Sequence, residues 1–148
     1  MEYRLDRLQS ITGRIITDLE FRLMEILIKA GGIYNIVLVV FHILFWRIFN
    51  WDSDLRDVSA LNSAIMQVLN ISLILVFAIF SYVSLVYTTE LLTSDLGRTL
   101  LILMALFWLA RSIQQIVFFK LHHPVSWAFL LFFLTGTLLY AIPAIDAL

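Results

Sequence analysis

Arg111 is the residue whose chemistry most needs explaining. It stands near the middle of the third of four long apolar runs. A guanidinium at mid-membrane costs about 2.5–3.5 kcal/mol on the insertion scale, so it needs a partner. No Asp or Glu lies within any of the four runs. The internal partners on offer are neutral: Gln114, Gln115, Asn70, helix carbonyls and water. Two readings stand side by side. In one, Arg111 is a hydrogen-bond knot, or snorkels toward the headgroups, and locks its helix to its neighbours. In the other, the missing countercharge is a ligand, because a planar fork of donors suits a carboxylate, a phosphate or a lipid headgroup.

His42 is the second candidate. A neutral imidazole could donate to a quinone carbonyl, and a protonated one could gate a response to pH. Haem ligation would need a second axial ligand. His122 and His123 are the other histidines, and they fall roughly 10 Å above His42 by helix rise. Being adjacent, they diverge on a regular helix, and alone they are too few ligands for zinc. The expectation is therefore no cofactor, with haem or quinone near His42 as the minor reading. No paired carboxylates, Ser-His-Asp arrangement, phosphate loop or HExxH pattern is present, so the chain reads as non-enzymatic.

The elements that must position these residues follow from composition. The chain of 148 residues is 61% hydrophobic and 14% charged, whereas a soluble domain is nearer half apolar and a quarter charged. Lipid is the solvent that such a surface requires. The absence of cysteine excludes disulfides and thiolate chemistry, and a net charge of −1 argues against nucleic acid as a partner. The charged first 25 residues do not read as a cleaved secretory signal.

The fold predicted is all-α: a polytopic membrane protein, a four-helix up-down bundle preceded by an amphipathic helix. The arm, residues 1–25, places Leu5, Leu8, Thr12, Ile15, Ile16, Leu19, Leu23 and Ile26 at helical spacing, with Arg4, Asp6, Arg7, Arg14, Asp18, Glu20, Arg22 and Glu25 largely elsewhere. It reads either as an interfacial helix or as an oligomerisation or partner-docking helix. The transmembrane domain, 26–148, holds spans at about 31–49, 64–87, 99–119 and 125–144, each near the 20 residues that cross a bilayer. Short links imply antiparallel neighbours. Ser94 reads as an N-cap for the third span. Arg4, Arg7, Arg14, Arg22, Lys29 and Arg98 outnumber Arg47, Arg56 and Lys120, which places both termini in the cytoplasm. Trp46, Trp51 and Trp127 read as interfacial anchors; Trp108 lies deeper.

In that topology His42 and Arg111 lie at one depth, roughly 10–12 Å below the outer surface. Gln67, Asn70, Gln114 and Gln115 join them in one polar layer. Helical phase supports this: Gln67, Asn70, Ile74, Phe77, Ser81, Ser84 and Thr88 form one seam, Gly97, Met104, Trp108, Arg111 and Gln115 a second, and Asn35, His42, Trp46 and Phe49 a third.

The segments LNSAIMQV (61–68) and SDLGRTLLILMALFWLARSIQQIVF (94–118) resemble a family of small bacterial four-helix membrane proteins. The likeness rests on a polar turn before span 2, on Leu96-Gly97-Arg98, and on the W-x-x-R-x-x-x-Q pattern of Trp108, Arg111 and Gln115. It implies a bacterial inner-membrane location and no particular activity. The function expected is binding or conduction of an anionic or amphiphilic ligand at the layer around Arg111, as a possible oligomeric channel. The alternatives are an accessory subunit of a larger membrane complex and a redox module. The partners expected are membrane lipids and a homo-oligomer or a membrane complex.

Overall fold

The computed structural model describes residues 2–146, excepting the side chains of residues 2–10 and 52. The positions read for Arg4, Leu5, Asp6, Arg7 and Leu8 lie outside the described side chains. Seven helices and no strand occur among the described residues: α1 (Glu2–Ile43), α2 (Phe45–Ile48), α3 (Trp51–Asp54), α4 (Ala60–Val86), α5 (Thr88–Thr93), α6 (Asp95–Phe119) and α7 (Pro124–Asp146). Four of them are long and apolar enough to cross a membrane: α4, α6, α7 and the Ile11–Ile43 part of α1. The chain is an all-α, multi-pass membrane protein.

Local chemistry sets the helix starts. The Ser59 hydroxyl accepts from the Asn62 amide at 3.3 Å and begins α4. The Ser94 hydroxyl accepts from the Gly97 amide at 2.9 Å and begins α6, as the sequence predicts. Pro124 opens α7, where its missing N–H costs nothing. Asn50 takes the left-handed conformation (φ 46°, ψ 44°) ahead of α3, which asparagine tolerates better than most residues.

The arm and the first span, read as two elements, are one helix. α1 runs unbroken from Glu2 to Ile43. A change in charge density at residues 25–31 does not break backbone hydrogen bonds, and no proline intervenes. The helix also stops short of the expected Phe49, because the chain turns at Leu44 into α2. The link expected at 88–98 holds a helix of its own, α5.

The chain divides into two compact units, residues 29–87 and residues 1–28 with 88–148. In the first, the C-terminal part of α1 packs antiparallel to α4. A Cβ on Gly32 would meet Leu85 Cγ at 2.7 Å and Ser84 Cβ at 3.2 Å, so glycine permits the close approach. The α4 seam is observed: Asn70, Phe77, Ser81 and Ser84 are buried. Trp51, expected at the headgroups, is buried against Phe45 and Trp46 at ring-centroid distances of 5.0 and 5.2 Å. In the second unit, α6 and α7 form an antiparallel hairpin, and α5 folds onto the start of α6. A Cβ on Gly97 would strike the Glu90 carbonyl oxygen and lie 2.5 Å from Leu91 Cα.

Candidate functional site

The site around Arg111 is built on the α6–α7 hairpin. The chain leaves α6 at Lys120 with φ 45° and ψ 139°, and Trp127 Nε1 donates to the Leu121 carbonyl at 3.1 Å, which pins the turn. Across it, the buried Gln115 reaches α7: Nε2 lies 3.4 Å from the Ser126 carbonyl oxygen and 3.5 Å from its Oγ. Two turns deeper, the fully buried Trp108 stacks on Phe133 at 6.1 Å. Arg111 lies between these two contacts along α6.

Its guanidinium has two partners of different kinds. Nη1 donates to Gln114 Oε1 at 2.6 Å, and Cζ stands 5.1 Å from the centroid of the Phe133 ring. The ring's negative face attracts the cation without neutralising it. Between Asp95 and Asp146 the sequence holds no carboxylate. Among the described residues, Gln114 Oε1 is the hydrogen-bond acceptor that the fork reaches, so one of five N–H donors is occupied there. Gln114 lies one turn nearer the α6–α7 turn than Arg111, and the guanidinium is drawn that way.

Arg111 is half-buried and sits at the margin of the buried stripe of α6, not at its centre. Gly97, Leu101, Met104, Trp108, Ser112 and Gln115 form the buried stripe. Ser112 occupies the position between Trp108 and Gln115 that faces inward, its hydroxyl donating to the Trp108 carbonyl at 3.0 Å. Arg111 and Ser112 lie on either side of that row, and the smaller residue is the one that fits.

His42, Gln67 and Asn70 belong to the other unit. His42 Nδ1 contacts the Leu38 carbonyl at 3.0 Å, and because a carbonyl only accepts, Nδ1 carries the proton. Its ring stacks on Phe45 at 5.4 Å and meets Phe77 edge-on at 5.1 Å. Asn70 Nδ2 donates to the His42 carbonyl at 3.0 Å, joining α4 to α1. Gln67 Nε2 stays on its own helix, 3.2 Å from Ser63 Oγ and 3.4 Å from the Ser63 carbonyl. Gln114 is exposed, and so are His122 and His123 at the turn. Among the described residues no group of three His, Asp or Glu stands within reach of a common metal ion.

The structure thus brings Trp108, Arg111, Gln114 and Gln115 together on one hairpin, and His42 and Asn70 together on another. Phe133 and Ser126, the α7 partners, are absent from the sequence-based candidates. Their signal was partial: an antiparallel hairpin brings the start of α7 beside the end of α6, but equal spacing from the five-residue turn 120–124 would pair Gln115 with Phe129 rather than Ser126, so the register was not legible. Comparison of the chain with protein-family models, with curated proteins and with solved structures finds no match.

Proposed function

We propose that this multi-pass membrane protein binds an anionic amphiphile through Arg111, on the side of the α6–α7 hairpin, and that it is not an enzyme. One observation carries the reading: a half-buried guanidinium in mid-helix is steered by Gln114 and Phe133, both neutral, on a hairpin with no carboxylate between Asp95 and Asp146. The Gln114 contact fixes the plane of the fork and leaves donors for two oxygens of a carboxylate or phosphate. Arg111 lies eight residues, or about 12 Å, from the end of α6, a depth that a bent or tilted headgroup and a snorkelling side chain can share. Conduction would need a path between copies, since the hairpin itself is packed by Trp108, Phe133 and Gln115. The resemblance of segments 61–68 and 94–118 to small bacterial membrane proteins, and the Lys/Arg distribution, support a bacterial inner-membrane location with both termini cytoplasmic.

A second reading has its own observation. Arg111 over Phe133, with Trp108 stacked on the same ring, is also what a packing knot requires. In that reading the chain is an accessory subunit of a larger membrane complex.

Native mass spectrometry of the gently solubilised protein, wild type beside Arg111→Gln, tests the proposal. A bound anionic lipid or organic acid that the variant loses while keeping its fold supports binding. An unliganded wild type with a variant that unfolds or dissociates overturns it in favour of packing.

A further inference from the structure

We infer that the outward face of α1 is a parallel coiled-coil seam that docks a second copy of this chain. The inference is independent of any ligand at Arg111. α1 presents three faces. Met24, Ile28, Asn35 and Leu38 are buried on the face turned into the protein. A second face carries Arg14, Asp18, Arg22, Glu25 and Lys29. The third is apolar, and it repeats every 3.5 residues. Ile16, Leu23, Ala30 and Val37 take one heptad position, and Leu19, Ile26, Ile33 and Val40 take the other. The spacing alternates three and four without a slip across eight positions, the length of repeat that distinguishes a coiled-coil seam from a merely amphipathic helix. Its seven larger side chains are each 50–62% exposed.

Lipid alone does not account for this face. A lipid-covered surface needs apolar residues but no particular period, and a straight helix drifts about 20° per heptad away from a 3.5-residue repeat. Length is the second argument. α1 has 42 residues, or about 63 Å, whereas a bilayer's hydrocarbon takes up about 20 residues of helix. Its residues from Gly32 to His42 pack on α4, so these lie in the hydrocarbon. Ile16, Leu19 and Leu23 then fall outside it, on turns shared with Arg14, Asp18, Glu20 and Arg22. α1 is unbroken through this part, so the seam continues without a loop into the part that crosses.

The occupant follows from charge and topology. The charged row beside the seam alternates in sign at spacings of four and three, so it is nearly neutral on every turn. Two copies brought seam to seam meet no block of like charge. A mixed row of this kind also gives anionic headgroups no basic face. Copies in one membrane share one topology, so their α1 helices are parallel and level, the arrangement in which identical heptads fall into register.

The absence of cysteine makes the test direct. Single cysteines are placed along residues 14–27 of the full-length chain in native membrane vesicles and oxidised with copper phenanthroline. Disulfide-linked dimer should be several-fold more abundant at Ile16→Cys, Leu19→Cys, Leu23→Cys and Ile26→Cys than at Arg14→Cys, Asp18→Cys and Arg22→Cys. A flat profile, a maximum on the charged row, or cross-linking only to a different protein overturns the inference. As a second readout, the double variant Leu19→Glu with Leu23→Glu should run as a single copy in native mass spectrometry while the parent does not. A parent that is itself a single copy also overturns it. Arg111→Gln should leave the cross-linking profile unchanged, which separates this test from that of the ligand site.

Discussion

Asn70 caps α1 from across the hairpin: its Nδ2 donates to the backbone carbonyl of His42 at 3.0 Å. His42 lies in the last turn of α1, where helix carbonyls lose their intrahelical donors. In hydrocarbon no water replaces them. The bond therefore serves the backbone of one helix and the pairing of two. Asn70→Leu keeps the volume and removes the donor. It should lower stability by about 1–2 kcal/mol in a denaturant or SDS titration. A loss under a few tenths of a kcal/mol would mean that the carbonyl is served otherwise.

The glycines make a graded prediction. A Cβ at Gly97 meets the backbone of Glu90 and Leu91, which cannot yield without moving α5. At Gly32 it meets the Leu85 side chain, which can rotate, and at Gly13 nothing stands within 4 Å. Gly97→Ala should cost about 2–3 kcal/mol or more, and Gly32→Ala about 1 kcal/mol. Gly13→Ala should stabilise α1 by about 0.5–1 kcal/mol through helix propensity. Thermal unfolding of the three variants checks the order; a destabilised Gly13→Ala would show that something covers that position.

Ser94 offers a test at the other end of the same turn. Its hydroxyl accepts from the Gly97 amide at 2.9 Å and donates to the Glu90 carbonyl at 2.7 Å, bridging α5 and α6. Ser94→Ala should cost about 1–2 kcal/mol, and Ser94→Gly less for the cap itself. The Ser59 cap is longer, 3.3 Å, and Ser59→Ala should cost less than Ser94→Ala. Equal effects at the two positions would count against the bridge.

Ser94 was legible because helix starts depend on chemistry within a few residues. The α4 seam was legible for a related reason: periodicity reports which residues share a face. It does not report where a helix continues, so the charged turns before Lys29 read as a separate arm although α1 passes straight through them. Nor does it choose between neighbours at the edge of a stripe. Arg111 and Ser112 both lie beside the Trp108–Gln115 row, and only packing decided that the hydroxyl goes inside. The grouping of His42, Asn70 and Arg111 in one layer rested on depth along each helix. Local contacts bind His42 to Asn70 within one unit, and Arg111 to Gln114 and Phe133 within the other.

The pairing of Arg111 with Phe133 can be separated from the ligand question by a double-mutant cycle. Phe133→Leu keeps an apolar residue against Trp108 and removes the ring under the cation. Arg111→Met removes the cation and keeps the stem. If the 5.1 Å contact is energetic, the two losses should fall short of additivity by about 0.5–2 kcal/mol, the range for a cation–π pair that is partly desolvated. Strict additivity would mean that the ring only supports the stem. The cycle also bears on binding. A ligand that takes the remaining N–H donors keeps the guanidinium over the ring, so Phe133→Leu should weaken anion retention less than Arg111→Gln does. Loss of retention as complete as in Arg111→Gln would make Phe133 part of what aims the fork.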